Sequence, residues 1–208
     1  MAEVKILYLA TADGLHQLAN PGKSNRWRRV GVALEGQDVG VIRPSPNDPL
    51  LVYAAATDGI FRTTNGGASW EAVLPQPVAT LVFDDSDLVA TTVAGETLRS
   101  GDGESWEPSA PIAASTEHKN FTLAGLPPAL LIPSSGVLMR SEDGGATTIP
   151  VEGPRAVQVL VNPPRFQDYV YAGTEAGELW LSKDRGATWA RLEDGFAAIR
   201  DLAFARVQ

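Results

Sequence analysis

Several short stretches of this 208-residue chain place chemically capable side chains at a fixed spacing. SKDRGATW (Ser182–Trp189) and TTNGGASW (Thr63–Trp70) share a hydroxyl, an Asp or Asn two residues on, a glycine two beyond that, and a terminal tryptophan. SEDGGATT (Ser141–Thr148) has threonine in the tryptophan place, and SGDGESW (Ser100–Trp106) is one residue short. A degraded copy, Asn20-Pro21-Gly22-Lys23-Ser24, precedes Trp27. A hydroxyl, a carboxylate and a ring so close together could ligate a cation, grip a sugar, or close a turn.

The chemistry favours the turn. Asp184, Asp143, Asp102 and Asn65 are short Asx side chains suited to accept backbone N–H groups. Gly186, Gly145 and Gly67 permit a positive φ that other residues resist. Trp189, Trp106 and Trp70 are large enough to fill the space between neighbouring sheets. A calcium or sugar site at these turns is the alternative.

Other reactive residue types are scarce. With no cysteine, disulfides, thiolate nucleophiles and Cys-ligated zinc are excluded. The two histidines, His16 and His118, lack a metal-ligating spacing and are expected to be surface or strand residues. Neither a cofactor nor a metal is expected. The formal charge of −8, with no long lysine/arginine run, argues against a phosphate-backbone binder, so no nucleic-acid partner is expected. No apolar run approaches the roughly 18 residues of a membrane span, and the N-terminus lacks the pattern of a secretory signal. A cytoplasmic, monomeric protein with no membrane association is the expectation.

The elements that carry these turns repeat in step with them. LYLATADG, VYAAATDG and VYAGTEAG place Tyr8, Tyr53 and Tyr171 each ahead of a turn glycine, Gly14, Gly59 and Gly177. Weaker copies, LVATTVAG and LLIPSSG, end at Gly95 and Gly136. Each reads as a hairpin of β-formers around a glycine turn. An apolar run such as VGVIRP, VATLVF, FTLAG or VQVLV precedes it, and a short strand follows the box. Box ends at Trp27, Trp70, Trp106, Thr148 and Trp189 give a period of about 41 residues, within the range for four-stranded propeller blades. The chain opens on a second-strand sequence and closes on IRDLAFARV, which reads as a missing inner strand.

The expectation is therefore an all-β fold: a five-bladed β-propeller of four-stranded antiparallel blades, closed by the C-terminal strand joining the first blade. As a single domain, its blades span approximately 1–33 plus 198–208, 34–74, 75–109, 110–151 and 152–197.

These residues resemble the Asp-box, or BNR, repeats of sialidase-like and photosystem-assembly-factor-like propellers. The resemblance covers the chain as five repeats and implies that the boxes sit at the turn between the third and fourth strands of a blade, in a structural role. A sialidase resemblance further implies three arginines, a tyrosine nucleophile with a glutamate partner, and an acidic residue. Only VIRPSP, with Arg43, approaches the first arginine motif, and Tyr8, Tyr53 and Tyr171 read as repeat-equivalent packing residues. Asn47-Asp48-Pro49 is similar to the nucleophile motif of invertase-type five-bladed glycosidases, but it falls in a proline-rich turn.

Non-catalytic recognition of a protein or carbohydrate ligand is the favoured function. A glycoside hydrolase with an axial carboxylate site is the alternative. The candidate ligand-binding residues are Asp13, Asp58 and Glu175 in the hairpin turns, with Asp38, His118, Arg155 and Arg200 in the links between units. There the repeats differ from one another, so a specific site has room to form. Asp38, Arg155 and Arg200 lead this group because each falls near the start of an inner strand. The fourth unit, with its STEHKN link and Pro127-Pro128, departs furthest from the repeat and is either a partner-facing loop or drift.

Overall fold

The structure, a computed structural model, describes residues 4–20, 26–111, 122–163 and 166–207. His118 and most of the degraded box around Lys23 lie outside them. The described chain is built of strands, and it divides into two compact units, Met1–Thr116 with Ala203–Gln208, and Glu117–Leu202.

The first unit holds three sheets. β1 (Val4–Thr11), β2 (Gly14–Asn20) and β3 (Arg28–Ala33) form the first, followed by β4 (Val39–Pro44), β5 (Val52–Ala56), β6 (Gly59–Thr63) and β7 (Glu71–Leu74) in the second. The third comprises β8 (Val78–Asp84), β9 (Asp87–Thr92), β10 (Thr97–Ser100) and β11 (Glu107–Pro108). The second unit holds two more: β12 (Thr122–Ala124), β13 (Ala129–Ser134), β14 (Val137–Ser141) and β15 (Ile149–Arg155), then β16 (Val157–Val161), β17 (Val170–Thr174), β18 (Leu179–Ser182) and β19 (Ala190–Glu193). The last strand, β20 (Ile199–Val207), completes the first sheet in the order β20-β1-β2-β3.

Five sheets of four strands, antiparallel at each registered pairing, is the content expected of five blades. Within each, neighbours in sequence are neighbours in space, as hairpin connections require. The first sheet alone takes a strand from the far end of the chain, which accounts for an opening sequence that reads as a second strand.

Burial grades across the sheets. Every residue of β5 (VYAAA) and β17 (VYAGT) is buried, so these strands are covered on both faces and read as apolar runs rather than alternating ones. The fourth strands are exposed, as in β11 and the first halves of β7 and β19. In the first unit, one core cluster gathers Tyr8, Leu15, Val39, Ile42 and Ala54, with Trp70 packed on it. A second gathers Val41, Tyr53, Ile60, Leu81 and Leu88, with Trp106. The second unit has its own cluster of Leu131, Leu138, Leu160 and Ala172, against which Trp180 and Trp189 pack. Full burial of each such leucine stabilises the fold by about 1.5–3 kcal/mol before ordering costs.

Candidate functional site

The four well-formed boxes share one hydrogen-bond scheme. The first hydroxyl, of Thr63, Ser100, Ser141 or Ser182, donates to Oδ1 of Asn65, Asp102, Asp143 or Asp184 at 2.7–3.0 Å. The same hydroxyl oxygen accepts the N–H of Gly67, Gly103, Gly145 or Gly186 at 2.8–2.9 Å. Oδ1 then accepts a backbone N–H from the far side of the turn: Ser69 at 3.0 Å, Ser105 at 2.7 Å, and Thr147 and Thr188 at 2.9 Å. In the last two boxes the threonine hydroxyl also donates to Oδ2 at 2.6 Å.

These donors stabilise the carboxylates in their charged form. The Thr147 hydroxyl and N–H, with the Ser141 hydroxyl, lower the Asp143 pKa to about 2. Backbone N–H groups of Ser105 and Glu104 hold Asp102 far below the usual carboxylate range. At Asp184, burial pushes upward, but the Thr188 and Ser182 donors outweigh it and the net shift is down. Oδ1 of each is spent on its own turn.

The boxes also reach the preceding sheet. The Tyr8 hydroxyl donates to the Gly66 carbonyl at 2.9 Å, and burial raises the Tyr8 pKa to about 12. A Cβ at Gly67 would lie 2.7 Å from Gln17 Cδ, one at Gly103 2.7 Å from Tyr53 Cζ, and one at Gly186 2.7 Å from Leu131 Cδ1. Each of these glycines is thus a place of close approach as well as a turn residue. Arg140, almost fully buried, donates from Nε to the Arg185 carbonyl at 3.0 Å and pairs with Glu142 at 2.6 Å.

The candidate ligand residues occupy hairpin turns and links. In the first unit, the Asp13 N–H donates to Thr11 Oγ1 at 3.3 Å, and the Asp13 carbonyl accepts from Gly36 N at 3.3 Å. The Asp38 N–H donates to Thr57 Oγ1 at 3.1 Å. Gln37 and Asp58 bond reciprocally: the amide donates to the carboxylate, and the Asp58 N–H returns to Gln37 Oε1 at 3.1 Å. The link after β3 is therefore laced to the turn between β5 and β6, which brings Asp38 and Asp58 together.

In the second unit, Glu175 N–H donates to the Ala156 carbonyl at 3.0 Å, placing its turn beside exposed Arg155 at the end of β15. Arg200 is half-buried in β20, next to Asp201, which is 3% exposed and accepts the Leu202 N–H at 3.0 Å. Asn47-Asp48-Pro49 lies between β4 and β5, where Asp48 Oδ1 accepts from Leu50 N at 2.9 Å.

Among the described residues, each unit has a pocket. One of about 380 Å³ in the first is lined by Asp87, Arg99, Asp102, Ser105 and Glu107, with Arg99 paired to both Asp84 and Asp87. One of about 400 Å³ in the second is lined by Arg140, Ile149, Pro150, Glu152, Thr188 and Trp189. Among the described residues, no group of three His, Asp or Glu side chains is placed to hold a metal ion, and no helix is long and apolar enough to cross a membrane.

Arg26-Trp27-Arg28-Arg29 is not a continuous lysine/arginine run and is not among the candidates read from the sequence. The structure buries Trp27, its ring 6.3 Å from that of Phe204, and leaves the three arginines exposed at the outermost strand of the first sheet. His16, on β2 opposite Val32, is half-buried; burial and then Arg29 lower its pKa, against the opposing pull of Asp13 and Glu35.

No protein-family model and no curated protein matches the chain. Among solved structures, one described as YCF48 bound to D1 peptide is 13% identical, aligned over 100% of this chain and 97% of that chain at a TM-score of 0.43. YCF48 from Cyanidioschyzon merolae is 14% identical over 91% of this chain and 76% of that chain, at 0.34. A GH74 xyloglucanase from Xanthomonas campestris is 18% identical over 86% of this chain at 0.35; the match spans 34% of the enzyme's length. Similarity this distant transfers no function, and the architecture rests on the strand pairing itself.

Proposed function

We propose that this chain is a non-catalytic recognition domain of the Asp-box propeller type, binding a protein partner or glycan through its hairpin turns and links. The observation that supports this reading is the reciprocal Gln37–Asp58 bonding with Asp38 N–H on Thr57, which holds unlike polar groups on fixed backbone. Preorganised groups bind with less ordering cost than mobile ones. Arg155 with Glu175, and Arg200, are the corresponding candidates in the second unit. The box residues are assigned a structural role. A cytoplasmic monomer is the working form of the proposal, checked by fractionation and sedimentation.

The test is capture of partners from the source organism together with a glycan array, using the wild type, Asp38→Ala/Asp58→Ala and Arg155→Ala/Glu175→Ala. A ligand that is reconstituted with purified material and lost in either double variant supports the reading. Equal binding by all three proteins overturns the site assignment.

The hydrolase alternative has one specific observation in its favour, the acidic pocket around Asp87, Asp102 and Glu107. Glycoside hydrolysis needs one carboxyl kept protonated as acid. Here Asp102 is held strongly ionised, so it is not suited to that role, and Asp87 is engaged in an ion pair with Arg99. Turnover of a chromogenic glycoside that is abolished by Glu107→Gln would decide for the enzyme.

A further inference from the structure

The fourth strands of the five sheets are outer edges, and an unpaired edge invites pairing with another chain. Four of them carry the usual protections. β7 and β19 are four residues long and β11 only two. β15 has seven residues but includes Pro150, Gly153 and Pro154, which remove donors and break the regular extension. β7, β11, β15 and β19 each carry a glutamate: Glu71, Glu107, Glu152 and Glu193.

β3 has a register shift against β2 at Val30 and a glycine, Gly31, but it is longer than β7, β11 and β19, and its charge is of the opposite sign. Its six residues, RRVGVA, contain no proline and no acid. Val30 and Val32 are 58% and 50% exposed, on either side of Gly31. Arg26, Arg28 and Arg29 are exposed at its start. Arg62 on β6 and Arg191 on β19 pair with carboxylates of their own sheets, Glu71 and Glu178. Arg26 and Arg28 form no ion pair among the described residues.

We propose that β3 is a docking edge for an extended acidic segment of a partner protein, which adds to the first sheet as a further strand. Main-chain hydrogen bonds to the outer side of β3 supply affinity, as in strand addition generally. Apolar side chains of the segment cover Val30 and Val32, and its carboxylates meet Arg26, Arg28 and Arg29. A second copy of this chain fits less well, because its own β3 would bring a second arginine cluster to the same edge. This surface is distinct from the turns and links, and the inference rests on the recognition reading only in that both require a protein partner.

The probe is a labelled Ac-(Val-Glu)4 peptide, titrated by fluorescence anisotropy into the full chain at low and high salt. A Val-Lys peptide and a Val-Glu peptide N-methylated at alternate residues serve as comparisons. Saturable binding of the acidic peptide is expected, weakening with salt, at least tenfold weaker for Arg28→Glu/Arg29→Glu, and lost on N-methylation. Equal binding of the Val-Lys or N-methylated peptide overturns the proposal, as does no effect of the arginine changes in a protein whose thermal unfolding matches wild type. Absence of acidic-peptide binding overturns it too. A concentration-dependent dimer abolished by Val30→Lys would assign the edge to a second copy and equally refute it. Failure here with loss of a captured ligand in the turn variants removes the edge and leaves the recognition reading standing; the converse pattern does the reverse.

Discussion

Replacing Gly186 with alanine tests whether the box glycine is there for its backbone angle or for the approach of the neighbouring sheet. Gly186 has φ +79° and Gly144, in the box one sheet earlier, has φ +74°, so a side chain at either carries the same left-handed penalty. That penalty is about 1–2 kcal/mol. The surroundings differ completely. A Cβ at Gly144 meets nothing within 4 Å, whereas one at Gly186 falls 2.7 Å from Leu131 Cδ1 and 3.1 Å from Cγ. Leu131 is fully buried in the second unit's core and cannot swing away. Overpacking of this kind costs roughly 1–3 kcal/mol more. Gly144→Ala should therefore destabilise by about 1–2 kcal/mol, and Gly186→Ala by about 2–5 kcal/mol. Urea unfolding followed by far-UV circular dichroism measures both. Adding Leu131→Ala to Gly186→Ala completes a double-mutant cycle, and a coupling of about 1–2 kcal/mol is expected, since the truncated leucine makes room for the methyl group. If Gly186→Ala is no worse than Gly144→Ala, or the cycle shows no coupling, the close-approach argument fails and only the backbone angle counts.

Three further outcomes follow from the same contacts. Because the folded Asp143 pKa is about 2 against an ordinary 3.8, its contribution is present above pH 3.8 and lost as pH falls toward 2. Thermal midpoints should drop across that window, and Asp143→Asn should flatten the drop; an unchanged slope would count against the carboxylate's role. Tyr8→Phe removes the hydroxyl that reaches the Gly66 carbonyl, at a cost of about 1 kcal/mol in denaturant unfolding; in the wild type, ultraviolet titration should show one tyrosine ionising only near pH 12. Deleting 199–208 strips β20 from β1 and exposes Tyr8 and Ala10, so thermal stability should fall sharply; an unaltered midpoint would mean that the strand does not hold the first sheet together.

Much of the sheet architecture was legible in the sequence because its determinants are local. The hairpin signatures LYLATADG, VYAAATDG and VYAGTEAG pair residues separated by a few positions around a glycine, and the pairings Thr11 with Gly14 and Ala56 with Gly59 are those hairpins. Asp143 and Asp184 bond within four residues of themselves, so a turn role could be read from spacing alone. The terminal strand was legible for a different reason: a unit missing its first strand and a strand missing its unit imply each other.

What only the tertiary structure decided lies where one sheet meets the next or ends at solvent. No local pattern indicates that Gly186 must accommodate Leu131, Gly103 Tyr53, or Tyr8 the carbonyl of Gly66, since these partners are 50 or more residues apart in sequence and meet only when sheets pack. Nor does composition reveal the edge at β3. Three arginines in a chain of net charge −8 vanish into the total, and two valines in a strand are unremarkable until the fold leaves them uncovered. Strand formation depends on neighbours along the chain, whereas exposure depends on everything that does or does not arrive from elsewhere. Sequence alone therefore determined the repeat and its turns, and the packed structure decided which glycines are crowded and which edge is open.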